Sequence, residues 1–586
     1  KNYDEDQIDE LINNLAVNWY INDYWQIKGQ FSVTKTTTRG ESFLDPESRK
    51  NGDLLGKDNP ISGELRTEEN NGFKWDLTAT AAYNRSIEKN HINLTFGINA
   101  KDEQSKSLSS FYKGFPNGSL SSINYANEIV VKPTVNQNKS RLFGMLASLN
   151  YTYDNIYLLD ISLRMDGSSE FGADKRFAPF FSGGVGINIH NYEFMKNLGY
   201  VNMLKIRGSY GATGKVNFPA YAARTMYKIQ NDKWYRTGIG ASLVALGNSG
   251  LTWETTNTLD VGFDIQMLDG LIYVNASYYR KKTVDLINDV TIASSTGFTT
   301  YVDNIGEIMN KGIDIQVRSD VYKSKDWMVA VFGNLSHNEN KLLKISESLK
   351  AYNDQVQAQY ADYGTGYLGA SAGDTKYSKT FTQYVEGGST TSIWGMKSLG
   401  INPSDGEEVL VRRDGSTTYE WEAAEQVILG DTEPKVQGAF GFNVRYKNWS
   451  LYTTFLYKLG GQEYNSTLVN KVENARISSE NVDKRVFSQR WKQPGDHAKY
   501  KKLQTKGVIQ TTRPTERFVQ DNNVLTLNSL TLGYDFGQKI LKKIGFGVLR
   551  LELGANELFR VSSVKFERGI DYPYARKMNI SLKASF

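Results

Sequence analysis

The last ten residues, Lys577-Met578-Asn579-Ile580-Ser581-Leu582-Lys583-Ala584-Ser585-Phe586, alternate strictly between two kinds of side chain and stop on an aromatic. Met578, Ile580, Leu582, Ala584 and Phe586 fall on one face of an extended strand, and Asn579, Ser581, Lys583 and Ser585 on the other, because successive side chains of a strand point to opposite sides. A soluble sheet can show this pattern in places. A wall with lipid on one side and water on the other imposes it on every strand.

Here it recurs along the whole chain. Ile92, Leu94, Phe96, Ile98 and Ala100 alternate with Asn93, Thr95, Gly97 and Asn99. Tyr157, Leu159, Ile161, Leu163 and Met165 alternate with Leu158, Asp160, Ser162, Arg164 and Asp166. The same holds around Leu259–Met267, Ile313–Val317, Phe440–Tyr446 and Leu549–Leu553. The longest of these runs reach 9 residues, about the 9–11 a tilted strand needs to cross the hydrocarbon layer. The polar faces carry full charges, which a packed core would not accept unpaired but a wet interior would. The pattern predicts an all-β chain, a large antiparallel transmembrane β-barrel, with about 17 strands.

A mean hydropathy of −0.48 is compatible with this reading, since half of each strand and all of each connection face water. No run approaches the roughly 18 apolar residues of a spanning helix. The 35 Tyr, 27 Phe and 52 Gly suit strands, interfacial aromatics and tight turns. Charge is balanced, 69 Lys+Arg against 64 Asp+Glu, and dispersed; no basic stripe marks a nucleic-acid partner. With no cysteine, disulfide scaffolds and thiolate metal sites are excluded.

Connections come in two sizes. Asp154-Asn155, Asp269-Gly270, Lys447-Asn448 and the Glu88–Asn90 link read as tight hairpins. Between them lie polar stretches at roughly 101–140, 211–256, 336–390 and 458–522, expected to be long loops gathered on one rim. Tyr151, Tyr153 and Tyr157 flank one short turn, and Tyr446 and Trp449 another, as an aromatic girdle would; ordinary cross-strand pairing is the alternative, disfavoured by the repeat. Lys1, without an initiating Met, looks like the approach to a strand, so the chain is expected to lack its first strands.

Several segments resemble the SusC/RagA family of TonB-dependent outer-membrane transporters of Bacteroidota. They are Arg164-Met-Asp166-Gly-Ser-Ser-Glu-Phe171-Gly172, Leu204-Lys-Ile-Arg207-Gly-Ser-Tyr210-Gly-Ala-Thr-Gly214 and Leu251-Thr-Trp253-Glu254-Thr-Thr-Asn257. Val302-Asp-Asn304-Ile-Gly306-Glu307 leads to Asn310-Lys-Gly312; then come Leu429-Gly430-Asp431-Thr432-Glu433-Pro434, Arg490-Trp491-Lys-Gln-Pro494-Gly495-Asp496 and Tyr572-Pro573. Singly they are weak; in this order they are specific. The resemblance implies that residues 1–586 are the barrel domain, supplying about 17–18 of about 22 strands, with the plug and TonB-contacting segment elsewhere. It further implies energised import of glycan oligosaccharides, favoured over oligopeptides, through the Gram-negative outer membrane. The partners implied are a SusD-like surface lipoprotein as lid, TonB, and outer-membrane lipid or LPS. A dimer of transporter–lipoprotein pairs is an assembly it allows. A passive porin and an adhesive barrel are the alternatives.

Enzyme chemistry is not expected, nor any cofactor. His91, His190, His337 and His497 stand far apart in sequence, outside any H-E-x-x-H pair. Gly364-Thr365-Gly366-Tyr367-Leu368-Gly369 matches a dinucleotide fingerprint in letters but lies in a long connection without the strand and helix it needs. The candidate binding residues are aromatics of the long connections: Trp234, Tyr235, Tyr360, Tyr363, Tyr367 and Trp394. Sugar rings and peptide side chains stack on such groups, and contact with a protein partner explains them equally well.

Overall fold

The computed structural model describes residues 2–48, 63–172, 175–215, 221, 223–248, 250–291, 300–304, 306–345, 347–361, 380–475, 477, 481–503, 512–565 and 576–585. Among the described residues eighteen strands form one large antiparallel sheet, and no described helix is long and apolar enough to cross a membrane. By internal contacts the chain divides into two compact units. One holds Lys1–Val185, Gly211–Thr255 and Ala293–Asn304, and the other Gly186–Tyr210, Thr256–Ile292 and Ile305–Phe586.

The first unit is a meander. Tyr3–Tyr20, Trp25–Leu44, Gly63–Ile87, Asn90–Phe115, Glu128–Tyr153 and Tyr157–Ser168 each pair with the next. Their turns are short: Tyr153 faces Tyr157 across Asp154, Asn155 and Ile156, and the φ angles of 53° and 54° at Asp154 and Asn155 suit residues that tolerate the left-handed region. In Tyr157–Ser168 the exposed side chains include Ile161, Leu163 and Met165, while Ser162, Arg164 and Asp166 are half-buried. Arg164 Nε donates to Asp166 at 2.6 Å, and Nη2 donates to Asn99 Oδ1 at 2.8 Å across the sheet. Gly144 lies among them in the register, and a Cβ there would collide with all three. One face is bare hydrocarbon; the other is a paired polar network.

Stretch 101–140 corrects an expectation. Asn90–Phe115 and Glu128–Tyr153 are 26 residues each and stay paired from Asn90↔Tyr153 to Lys113↔Glu128. Only 116–127 is connection. Beyond the membrane span neither face of a hairpin meets lipid, so the alternation vanishes although the ladder continues. Runs such as Ser105-Lys106-Ser107 and Asn136-Gln137-Asn138 then read as loop.

In the second unit Ile272–Val284, Glu307–Lys323, Trp327–Lys344, Val436–Tyr446, Trp449–Tyr464 and Val519–Asp535 pair in sequence order. Val548–Asn556 and Arg560–Ser562 both pair with Val519–Asp535, so they act as one strand interrupted at Glu557 (φ 48°). Counted so, the eighteen strands become the seventeen of the alternation. Lys577–Ser585 pairs with Val548–Asn556 and exposes Met578, Ile580 and Leu582.

Aromatics collect beside the short turns of each unit. Trp25 and Tyr83 lie 5.0 Å apart and Tyr153 and Tyr157 6.4 Å in the first. In the second, Trp327 and Tyr446 are 4.3 Å apart and Trp449 and Tyr534 4.7 Å. They are cross-strand pairs and also the residue types that anchor a membrane interface.

Candidate functional site

At the long connections the second unit builds a small folded body. Ser392–Gly395 pairs with Val427–Asp431; Lys397–Ile401 pairs with Glu408–Val411, which takes Thr417–Thr418 on its other edge. Ile393, Tyr464, Val469, Val472, Val486, Tyr500 and Phe518 form an apolar core under these elements. Each fully buried side chain of this kind contributes about 1.5–3 kcal/mol, which is how so long a connection holds one shape.

Arg517 is embedded in that body. Its Nη2 donates to Glu408 Oε2 at 2.7 Å and to Glu473 Oε1 at 2.8 Å, and Nη1 donates to the Lys499 carbonyl at 2.8 Å. The guanidinium carbon lies 4.7 Å from the Phe518 ring centroid. Burial alone would lower the Arg517 pKa and raise that of Glu408. Pairing overrides it in both, so Arg517 stays above its ordinary value and Glu408 below. Lys501 goes the other way: burial lowers its ammonium although Glu473 and Glu408 act on it.

The Arg490–Asp496 motif is the brace of this body. Arg490 donates from Nε to the Val486 carbonyl at 2.9 Å, from Nη1 to that of Lys501 at 2.8 Å and from Nη2 to that of Glu473 at 3.0 Å. Trp491 Nε1 and the Gly495 amide both reach the Pro403 carbonyl, at 2.9 and 2.8 Å. The Trp491 ring fills the space where Gly406, at φ 75°, would carry a Cβ. Asp483 accepts from the Arg485 side chain and amide, which pushes its carboxyl down to about 2.

The first unit uses its motifs likewise. Trp253 is buried, 4.5 Å from Phe171 and 5.6 Å from Phe180, and Nε1 donates to the Arg176 carbonyl at 3.3 Å. Asn304 Oδ1 accepts from the Thr252 amide and its Nδ2 donates to the Thr252 carbonyl, both at 2.8 Å. Asn248 Nδ2 donates to Asp303 at 2.9 Å and to the Val302 carbonyl at 3.0 Å. These residues hold connections to one another.

The candidate aromatics fare differently. Trp234 and Tyr235 sit at the tip of the hairpin Met226–Tyr235/Gly238–Ala245, 70% and 69% exposed. The hairpin also exposes Tyr227, Ile229 and Ile239, which the sequence reading missed. An isolated two-stranded hairpin is marginal alone, and this one offers apolar surface to whatever approaches. Tyr360 lies in the last turn of the helix Glu347–Ala361, while Tyr363, Tyr367 and the Gly364–Gly369 stretch fall outside the described residues. Trp394 is no surface ring: it is 6% exposed within Ser392–Gly395, because its small sheet packs inward. Exposed Leu399 (70%) and Arg517, whose side chain is 10% exposed, were also missed, and no local pattern marks either. The described residues hold no cluster of three or more His, Asp or Glu that could take a metal.

A family model described as TonB dependent receptor-like, beta-barrel, matches residues 1–455. TonB-dependent receptor P3 of Formosa agariphila is 25% identical over 522 residues, 88% of this chain and 50% of that protein. TonB-dependent receptor SusC of Bacteroides thetaiotaomicron is 26% identical over 415 residues, 68% of this chain and 38% of that protein. The structure of the RagAB peptide importer in the open-open state matches with a TM-score of 0.83 at 21% identity, covering all of this chain and 62% of that one. A second, of the RagAB peptide transporter, gives 0.81 at 21% identity, covering 96% and 59%. These structural likenesses show the fold. The chain spans about half the length of the curated relatives it matches.

Proposed function

This chain belongs to the TonB dependent receptor-like β-barrel family, and from that membership we propose that residues 1–586 supply the wall and outer rim of an active outer-membrane importer. The family is one of outer-membrane transport proteins rather than enzymes. The observation that carries the reading is the two-faced sheet: paired charges such as Arg164–Asp166 on one side, bare Ile161, Leu163 and Met165 on the other. A wall between water and lipid needs both, because an unpaired charge facing hydrocarbon costs about 2–4 kcal/mol at mid-membrane.

The cargo in this reading is an oligomeric nutrient, an oligosaccharide ahead of an oligopeptide, drawn in with TonB energy under a SusD-like lipoprotein. Exposed Trp234 and Tyr235 suit either a sugar ring or a protein surface. The ordered body around Arg517 has its own core, so its order needs no docked partner. The test is uptake by cells expressing the full-length protein, with labelled oligosaccharides and oligopeptides, with and without TonB. TonB-dependent accumulation of oligosaccharide is expected. Equal passage without TonB, together with a large constitutive single-channel conductance, would make the protein a passive pore.

A further inference from the structure

The apolar face of the second unit is not smooth. Ile315, Val317, Gly333, Leu335, Phe440 and Leu459 border a furrow of 960 Å³, within the range of about 300–1,000 Å³ typical of small-molecule sites. Its origin is a break in the ladder. Trp327–Lys344 and Val436–Tyr446 pair from Trp327↔Tyr446 to Gly333↔Phe440 and again at Ser336↔Gln437, with no ladder pair between. There the Asn334 side-chain oxygen accepts from the Ala439 amide at 2.5 Å, and the Asn334 carbonyl accepts from the Tyr457 hydroxyl at 2.8 Å. Gly333 and Ala439 leave the space that larger side chains fill elsewhere.

Its height follows from the register. Phe440 is six residues beyond Tyr446 and Leu459 ten beyond Trp449. At about 3.3 Å per residue and a tilt of about 40°, they lie roughly 15 and 25 Å above the short-turn aromatics, in the outer half of an apolar band about 25 Å tall. The lining ends in polar groups, Asn523, Ser562 and Ser563. Asn523 Oδ1 accepts from the Gly460 amide at 2.8 Å, and the carbon stem of exposed Lys435 lies against Gly460. An apolar slot thus ends beside a polar rim and a cation.

We propose that this furrow holds one acyl chain of an anionic outer-leaflet lipid, its headgroup at the Lys435 rim; the inference rests on the outer-membrane reading above. The test is native mass spectrometry of the full-length protein after exchange into a delipidating detergent. One retained anionic lipid per chain is expected. Gly333→Phe fills the furrow, and a Cβ at Gly333 meets its neighbours at no less than 3.7 Å; retention should fall by about tenfold or more, a loss of about 1.4 kcal/mol. Val331→Phe, on the same face outside the furrow, should retain the lipid, and Lys435→Glu should weaken it. No retained lipid, equal retention by Gly333→Phe, or detergent alone in the furrow would overturn the proposal. Membrane fractionation separates the two readings: a protein outside the outer membrane sinks both, and one inside it without lipid sinks this one alone.

Discussion

Two stretches that look alike in sequence, 101–140 and 458–522, solve the same problem in different ways. Both are long, polar and without alternation. The first stays regular: Asn90–Phe115 and Glu128–Tyr153 carry their ladder far beyond a membrane span, so the backbone satisfies itself, with buried Asp102 paired to Arg141 and a small cluster of Phe43, Leu65, Tyr112 and Phe115 at the far end. The second leaves the ladder at Tyr464 and collapses on a core of its own, with Arg517 bridging Glu408 and Glu473 inside it. One is held chiefly by hydrogen bonds between neighbours in a register, the other chiefly by its own core and one charged knot. The first should tolerate almost any surface change, and the second should fail at single residues.

The largest effect should come from Arg517→Met. Removing the cation strands two buried carboxylates, a change of the kind that costs about 3–5 kcal/mol. Limited proteolysis should cut within 465–503 while strand signals in circular dichroism persist. If those connections stay resistant, the charged knot is not what holds them.

Gly406→Ala comes next. The residue sits at φ 75° against Trp491, and the left-handed backbone alone costs a non-glycine about 1–2 kcal/mol. Hydrogen exchange should speed up around Pro403 and Trp491. Gly144→Ala should cost about 1–3 kcal/mol by overpacking the Arg164 network, read as a lower unfolding temperature with the loop body unchanged.

The pH response should separate the stretches too. The Asp483 carboxyl is held at about 2 by Arg485, below its ordinary 3.8. A depressed carboxyl contributes stability that is present above the unfolded pKa and is lost as pH falls through the folded one. Protection of 483–490 should therefore decline between about pH 4 and pH 2, with Glu408, also held low, adding to it. Asp483→Asn should flatten that decline. The smallest effect is expected for Ser107→Ala in the extended hairpin, within about 0.5 kcal/mol.

Much of the wall could be read from the sequence because lipid and water mark alternate residues, as at Ile161, Ser162, Leu163 and Arg164. The tight turns were legible because Asp154-Asn155 and Asp269-Gly270 are among the few pairs that accept positive φ. The extended hairpin was not, since a strand with no lipid-facing side carries no period. Trp394 misled for a related reason: within polar sequence nothing tells a ring that packs inward from one that faces out. The Arg490–Asp496 segment was legible as a motif but not as a brace, because the Pro403 carbonyl it grips is far away in the chain.

The most direct test of the central claim uses the absence of cysteine in this chain. Single cysteines placed in turn at positions 158–166 of the full-length protein in lipid would carry spin labels for accessibility to oxygen and to a water-soluble nickel complex. A period of two is expected, with Ile161, Leu163 and Met165 reached by oxygen and Ser162, Arg164 and Asp166 reached by nickel. A smooth profile without alternation, or nickel reaching both sets equally, would contradict it.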